Sequence, residues 1–150
     1  MDKHDELIKE LNKFLRGVHM GADTFRVYQD KAENKELKSE LTKSMVIFRE
    51  QDEKVSSYIK ELGGEPTTSL GVAGEMASMF EKLKDMFIDN DKELIKHTIN
   101  AIDMGIEGGN NLLHSYKDEH LDKSIFQHLN EMVSQYKVMK NKFEIMYKSL

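Results

Sequence analysis

The sequence has no cysteine and no tryptophan, and it has only one proline among its 150 residues. Without cysteine the chain cannot form disulfides, thiolate metal sites or a cysteine nucleophile. It also has no G-x-S-x-G elbow and no recognisable motif that sets a serine beside a histidine with an acidic partner, so we find no pattern of nucleophilic catalysis. The scarcity of proline favours long uninterrupted helices, because proline breaks a helix interior.

Excess positive charge and long apolar runs are also absent. The formal net charge is −5 and the acidic and basic residues are interspersed, which leaves no broad cationic surface for a nucleic-acid backbone. No stretch approaches the roughly 18 consecutive apolar residues of a membrane helix. The N-terminus, MDKHDELIKE, is a charged helix start without an apolar signal region. We therefore expect a soluble, cytoplasmic protein that binds neither nucleic acid nor membrane.

The sequence does contain apolar residues repeated at intervals of three and four, which is the period of amphipathic helices. The repeat predicts helices at about 3–31, 35–62, 91–116 and 120–150, with no strands. One all-α domain over residues 1–150 is long enough to bury a single core. The predicted inner faces comprise Leu7, Leu11, Phe14, Val18, Phe25, Tyr28, Leu37, Leu41, Met45, Phe48, Val55, Ile59, Leu62, Ile95, Ile99, Ile102, Ile106, Leu113, Leu121, Ile125, Leu129, Met132, Met139, Phe143 and Met146.

A long connection at 64–90 separates a hairpin at 3–63 from a second hairpin at 91–150. Gly63 is the expected residue after the second helix, and Pro66 prevents the helix from continuing. The connection should contain a short amphipathic helix that lies across the bundle, and its length allows helices two and three to run parallel. Two hairpins joined by such a crossover form a ferritin-like four-helix bundle. The apolar residues of the predicted crossover helix are Val72, Met76, Met79, Phe80, Leu83 and Phe87.

One polar residue interrupts an apolar stripe. In MVIFREQDEKV the stripe passes through Phe48 and Val55, and Gln51 occupies the position between them. The two hairpins also form a faint internal repeat: laying MGADTF from Met20 on MGIEGG from Met104 lays Gln51 on Gln135. The repeat therefore pairs the unexpected glutamine with a second one.

Five short motifs support a family resemblance over nearly the whole chain: LNKFLRGVHMG, ELKSEL, IKELGGEP, GVAGEM and MGIEGG, in that order. With them the sequence resembles a small, largely uncharacterised bacterial branch of the ferritin-like superfamily, related in architecture to rubrerythrin. The most specific marker is the LGG-x-P after helix two, followed by G-x-x-G-x-M. The resemblance implies a four-helix bundle and, in metal-binding members, a dinuclear centre.

That resemblance implies one glutamate from each of helices one and three and a Glu-x-x-His pair from each of helices two and four. Not one of the residues at the corresponding positions here is a carboxylate or an imidazole. We interpret the two glutamines as occupying former histidine positions, and we predict that they hydrogen-bond each other, because an unsatisfied buried polar group costs about 1–3 kcal/mol. We expect no dinuclear centre and no cofactor. The positions are Val18, Phe48, Gln51, Ile102, Met132 and Gln135.

Other side chains could bind a metal elsewhere. His19 and Asp23 lie four residues apart on helix one, and the internal repeat lays them on Asp103 and Glu107. His128 and Glu131 could add two more ligands. We favour a surface role for these groups, because such spacing is common on helix faces.

We likewise favour core packing over a copper(I) ladder for Met132, Met139 and Met146, which recur every seven residues. For Gly108 and Gly109 in helix three, three alternatives are open: they allow a close helix approach, they allow a local kink, or they have no function.

From these observations we expect a non-enzymatic structural or interaction protein with an unknown protein partner. One form of the interaction would be a homodimer that buries an apolar strip near the crossover helix. The alternative is a metal-binding or oxidoreductase protein that holds iron, manganese or zinc on displaced ligands. A third option is a small apolar ligand in a cavity between Val18, Phe48, Ile102 and Met132.

Overall fold

The computed structural model describes residues 3–68, 82, 85–116 and 122–150, and its elements within those residues are helices without any strand. They are α1 (Lys3–Lys31), α2 (Lys35–Glu61), α3 (Asp91–Ser115) and α4 (Lys123–Ser149). The predicted all-α four-helix architecture is therefore confirmed. The start predicted for the fourth helix, near His120, lies outside the described residues.

Side-chain caps determine where three of the helices begin. Asn34 precedes α2 and accepts a hydrogen bond from the Leu37 amide at 3.0 Å, and Asn90 accepts one from the Glu93 amide at 2.9 Å before α3. Asp122 accepts from the Ser124 amide at 2.8 Å, so α4 begins at Lys123. Each cap satisfies a backbone N–H that has no partner within its own helix.

The end of α2 is a Schellman motif, as the LGG sequence predicts. Gly63 has a φ of +89°, and its N–H donates to the Lys60 carbonyl at 3.0 Å, while the Gly64 N–H donates to the Ile59 carbonyl at 2.9 Å. A Cβ on Gly64 would lie 2.6 Å from a methyl carbon of Ile8 on α1. The two glycines therefore end the helix and allow the chain to pass close to α1.

Adjacent helices run antiparallel, which makes α2 and α3 parallel to each other. Along α1 and α3, the Tyr28 ring lies 6.5 Å from His97, while Phe14 lies beside Gly109. The hairpin turn between α1 and α2 is tied to the start of α3, because Asp91 accepts hydrogen bonds from the amides of Glu33 at 2.9 Å and Asn34 at 2.7 Å. These contacts confirm that α2 and α3 run parallel, as the long crossover predicted.

The core lies along the bundle axis and comprises most of the predicted inner faces. Met45, Leu62, Ile99 and Ile106 are only partly buried, and Leu94, Leu112, Val133 and Tyr136 are buried although they were not predicted. The described end of the crossover departs from expectation, because Phe87 is 83% exposed and does not pack on the bundle. The other predicted crossover-helix residues, together with Leu121, lie outside the described residues. No helix in the described part has an apolar stretch long enough to cross a membrane.

Candidate functional site

Gln51 lies in the bundle core with only 2% of its surface exposed, and both ends of its amide are hydrogen-bonded. Its Nε2 donates to Oε1 of Gln135 on α4 at 3.0 Å. Its Oε1 accepts a hydrogen bond from the Tyr136 hydroxyl at 2.6 Å. The predicted bond between the two glutamines is confirmed, and the polar residue in the α2 stripe avoids the penalty of an unsatisfied buried amide.

Gln135 is exposed, although the internal repeat pairs it with a buried glutamine. It lies on the wall of an open groove between α2 and α4, which approach each other less closely than the other neighbouring helices. The two glutamines thus connect the core to this groove and do not form an enclosed pair.

Tyr136 is the third member of this network, and we did not predict it. Burial raises its pKa well above the usual value for tyrosine, so the phenol stays neutral and can donate to Gln51. It also contacts the Phe48 ring at 6.0 Å between centroids. The sequence did hold a signal, because Tyr136 lies four residues after Met132 and three before Met139 on the same helix face.

The remaining predicted ligand positions are apolar and buried: Val18, Phe48, Ile102 and Met132. Three of them, all except Met132, line a cleft between α1 and α3. A dinuclear centre needs carboxylate and imidazole donors. These four side chains supply no oxygen or nitrogen donor, and the Gln51 amide is already paired. The six residues do not fit a dinuclear centre.

His19 is buried, so the surface role predicted for it is wrong, and it is paired across the helices with a residue that we had not assigned to it. Its Nε2 lies 3.1 Å from a carboxylate oxygen of Asp52 on α2. Its buried Nδ1 has no hydrogen-bond partner among the described residues. Asp23, one turn along α1, instead lies 3.7 Å from Arg26. The predicted His19–Asp23 pair therefore divides between two partners.

The corresponding pair on α3 also separates. Asp103 accepts from Nζ of Lys140 on α4 at 2.8 Å, and this bond raises the pKa of Lys140. Glu107 is exposed on the same helix. Within residues 3–68, 82, 85–116 and 122–150, no three histidine, aspartate or glutamate side chains come together as metal ligands would.

His128, another candidate ligand, has a structural partner. Nδ1 of His128 is hydrogen-bonded to the Tyr58 hydroxyl, and the two rings stack at 5.7 Å between centroids. Glu131 is exposed. Met132, Met139 and Met146 are all buried in the core cluster, consistent with the interpretation as packing residues.

Among solved structures, the chain is similar to a two-domain protein from Anabaena variabilis that contains DJ-1/ThiJ/PfpI-like and ferritin-like domains. The TM-score is 0.78 at 17% sequence identity, and the match covers 99% of this chain. The chain spans 40% of the length of that protein. At this identity the likeness shows the fold alone, which is that of a ferritin-like bundle.

No curated protein matches the sequence. A family model does match residues 6–115, which are most of the chain, and its description is a domain of unknown function, DUF2383. This match covers α1 from Glu6 onward, α2, the connection and α3. The chain therefore belongs to the DUF2383 family.

Proposed function

We propose that this chain is a non-enzymatic structural or interaction protein, with an apolar core and a glutamine–tyrosine network where metal-binding ferritin-like proteins hold a dinuclear centre. The observation that supports it is that both ends of the Gln51 amide are hydrogen-bonded within the protein. Its amide nitrogen is bonded to Gln135 and its amide oxygen to Tyr136. Both polar atoms of Gln51 are therefore already bonded to protein groups.

The energetics of the core agree with this proposal. Several carboxylates inside the bundle without metal would each cost several kcal/mol of desolvation, which apolar side chains avoid. Val18, Phe48, Ile102 and Met132 are each no more than 5% exposed, so little of these side chains is in contact with water. A neutral amide and a neutral phenol are the polar groups that such a core tolerates at low cost.

Elemental analysis tests the proposal. The full chain would be expressed in medium supplemented with iron and manganese, then purified without chelator or affinity tag. We expect far less than one ion of iron, manganese or zinc per chain. About one or two ions per chain would overturn the proposal, because a dinuclear or displaced centre would then be present.

If metal were found, a double variant would show whether the displaced ligands hold it or whether it is bound elsewhere. His19→Ala combined with Asp103→Ala removes one candidate ligand from each half of the bundle, while leaving Gln51, Gln135 and Tyr136 unchanged. If metal were found in the native protein and lost from this variant, the displaced ligands would hold it. If the variant retained the metal, the ligands would lie elsewhere, and the proposal would be equally wrong.

A further inference from the structure

The composition of the chain limits where the protein can lose a single electron. Cysteine and tryptophan, two side chains that one-electron oxidants attack readily, are absent, whereas tyrosine occurs five times. Methionine occurs ten times, but a thioether gives up one electron less readily than a phenol that can release its proton. One-electron oxidation of this chain therefore falls mainly on its tyrosines.

A phenol loses an electron easily only when its proton can leave in the same step. The oxidised phenol is a very strong acid, so a base that is hydrogen-bonded to the hydroxyl lowers the barrier to oxidation. Imidazole is the side chain best suited to take up a proton near neutral pH. The tyrosine oxidised first should be the one whose hydroxyl is bonded to an imidazole nitrogen.

Tyr58 on α2 meets this condition. Its hydroxyl is hydrogen-bonded to Nδ1 of His128 on α4, and the two rings stack at 5.7 Å between centroids with their planes 20° apart. The pair lies about two helical turns along both helices from the Gln51–Gln135 pair. Tyr58 is 8% exposed and His128 is half-buried. The bundle thus holds a buried phenol against a base that is partly in contact with water.

Two other buried tyrosines are not bonded to a base. The hydroxyl of Tyr136 donates to the amide oxygen of Gln51, which does not take up a proton near neutral pH. Tyr28 lies beside His97 at 6.5 Å between ring centroids, but no hydrogen bond among the described residues joins the two. Burial raises the pKa of both phenols, so they hold their protons more tightly.

The remaining two tyrosines lie near helix ends. Nζ of Lys92 lies 4.7 Å from the centre of the Tyr147 ring, and this positive charge opposes the loss of an electron from the ring. Tyr116 directly follows α3, and a variant of its own tests it. The structure therefore singles out Tyr58 among the four tyrosines whose surroundings are described above.

We infer that Tyr58 is the site at which this chain donates one electron to a soluble one-electron oxidant, with His128 as its proton acceptor. The oxidant gains the electron, the O–H bond of Tyr58 breaks, the proton bonds to Nδ1 of His128, and a neutral phenoxyl radical remains. Glu131, three residues along α4, adds a negative charge near the protonated imidazole. The protein would act as a radical trap through this pair, with or without a bound metal.

Laser flash photolysis of the full chain tests the inference, with photogenerated ruthenium(III) tris-bipyridine as the oxidant. Transient absorbance follows the phenoxyl radical, and electron paramagnetic resonance of freeze-trapped samples identifies it. We expect radical formation to slow about tenfold in Tyr58→Phe, because the hydroxyl that is bonded to a base has been removed. An unchanged rate in Tyr58→Phe would overturn the inference.

His128→Asn separates the base from the hydrogen bond. Asparagine still accepts a hydrogen bond but does not take up a proton near neutral pH, so we again expect a rate about tenfold lower. A rate equal to that of the native protein would overturn the assignment of His128 as the proton acceptor. Circular dichroism and thermal unfolding of each variant check that the bundle is intact.

The same substitution at other tyrosines provides matched controls. Tyr28→Phe, Tyr116→Phe and Tyr136→Phe each remove one hydroxyl and keep the ring, and we expect each variant to form the radical at the native rate. A fall in one of these variants as large as that in Tyr58→Phe would overturn the inference, because the electron would then be lost from another tyrosine.

Discussion

At the scale of single residues, the Gln51–Tyr136 hydrogen bond should stabilise the folded protein mainly because it keeps two buried polar groups paired. Gln51→Leu leaves the buried Tyr136 hydroxyl without its acceptor, and we expect a loss of about 1–3 kcal/mol in the free energy of unfolding. The double variant Gln51→Leu/Tyr136→Phe removes both polar groups and should recover most of that loss. Urea unfolding of the three proteins measures this difference.

Gln135→Leu is the control for that comparison. Gln135 is exposed, so its amide can bond to water when its partner changes, and we expect an effect below about 1 kcal/mol. A loss for Gln135→Leu as large as for Gln51→Leu would contradict the view that burial determines the cost. So would a double variant less stable than Gln51→Leu alone.

Tyr136 should also make stability depend on alkaline pH. Its pKa is raised in the folded state by burial, so the folded protein holds the phenolic proton more tightly than the unfolded chain does. The contribution is fully present below the unfolded pKa of about 10 and decreases as pH rises above it, by up to about 1.4 kcal/mol per pH unit.

Tyr136→Phe should therefore show a shallower loss of stability between pH 9 and 11 than the native protein, although some slope remains because burial raises the pKa of Tyr28 as well. Urea unfolding at several pH values measures the slope, and absorbance of tyrosinate reports the ionisation. An equally steep loss in the variant would contradict this assignment.

At the scale of helices, the pair Gly108 and Gly109 on α3 allows two opposite predictions. A Cβ on Gly109 would lie 2.5 Å from Cγ2 of Val133 on α4, whereas one on Gly108 would meet no described residue within 4 Å. We expect Gly109→Ala to destabilise the protein by about 1–3 kcal/mol through overpacking. Gly108→Ala should stabilise it by up to about 1 kcal/mol through helix propensity.

Thermal or urea unfolding distinguishes the two neighbouring substitutions. Adding Val133→Ala to Gly109→Ala removes the methyl group that the new Cβ would meet, so the double variant should lose less stability than the two single changes predict together. Additive effects would mean that α3 and α4 can separate at this point at little cost. Of the alternatives open for these glycines, the structure supports a close helix approach at Gly109.

At the scale of the whole molecule, the interaction role can be tested through self-association. Phe87 is 83% exposed beside the crossover, and a second copy of the chain would remove this ring from water. We expect light scattering to give the mass of a dimer, and Phe87→Ser to shift it toward the monomer. Val138→Ser is the control, since this exposed residue lies on the α2–α4 groove. A native monomer at all concentrations would contradict the homodimer.

Much of the fold was predictable because helices are encoded locally. The spacing of apolar residues located α1 to within a residue, and the LGG sequence predicted the end of α2 together with the positive φ of Gly63. Asn34 and Asn90 cap their helices as side chains of that type do. These features depend on neighbours in sequence, so the sequence is sufficient for them.

The site was only partly predictable because it depends on contacts between helices. The repeat paired Gln51 with Gln135 correctly, but exposure of Gln135 and the contribution of Tyr136 follow from how α2 and α4 pack. His19 pairs with Asp52 on α2 and not with Asp23 on its own helix, because the side chains of adjacent helices meet at this position. The spacing of residues along one helix does not give the distances between side chains on different helices.

By itself, the sequence determined four amphipathic helices, their caps, and a core without carboxylate or imidazole groups at the predicted metal positions. Only the tertiary structure decided that Tyr136 bonds to Gln51, that His19 pairs with Asp52, and where space remains between helices. Local backbone preferences and apolar periodicity suffice for the first set. The second depends on how closely each pair of helices approaches: Gly109 lies against Val133, while no described residue lies within 4 Å of where a Cβ on Gly17 or Gly108 would be.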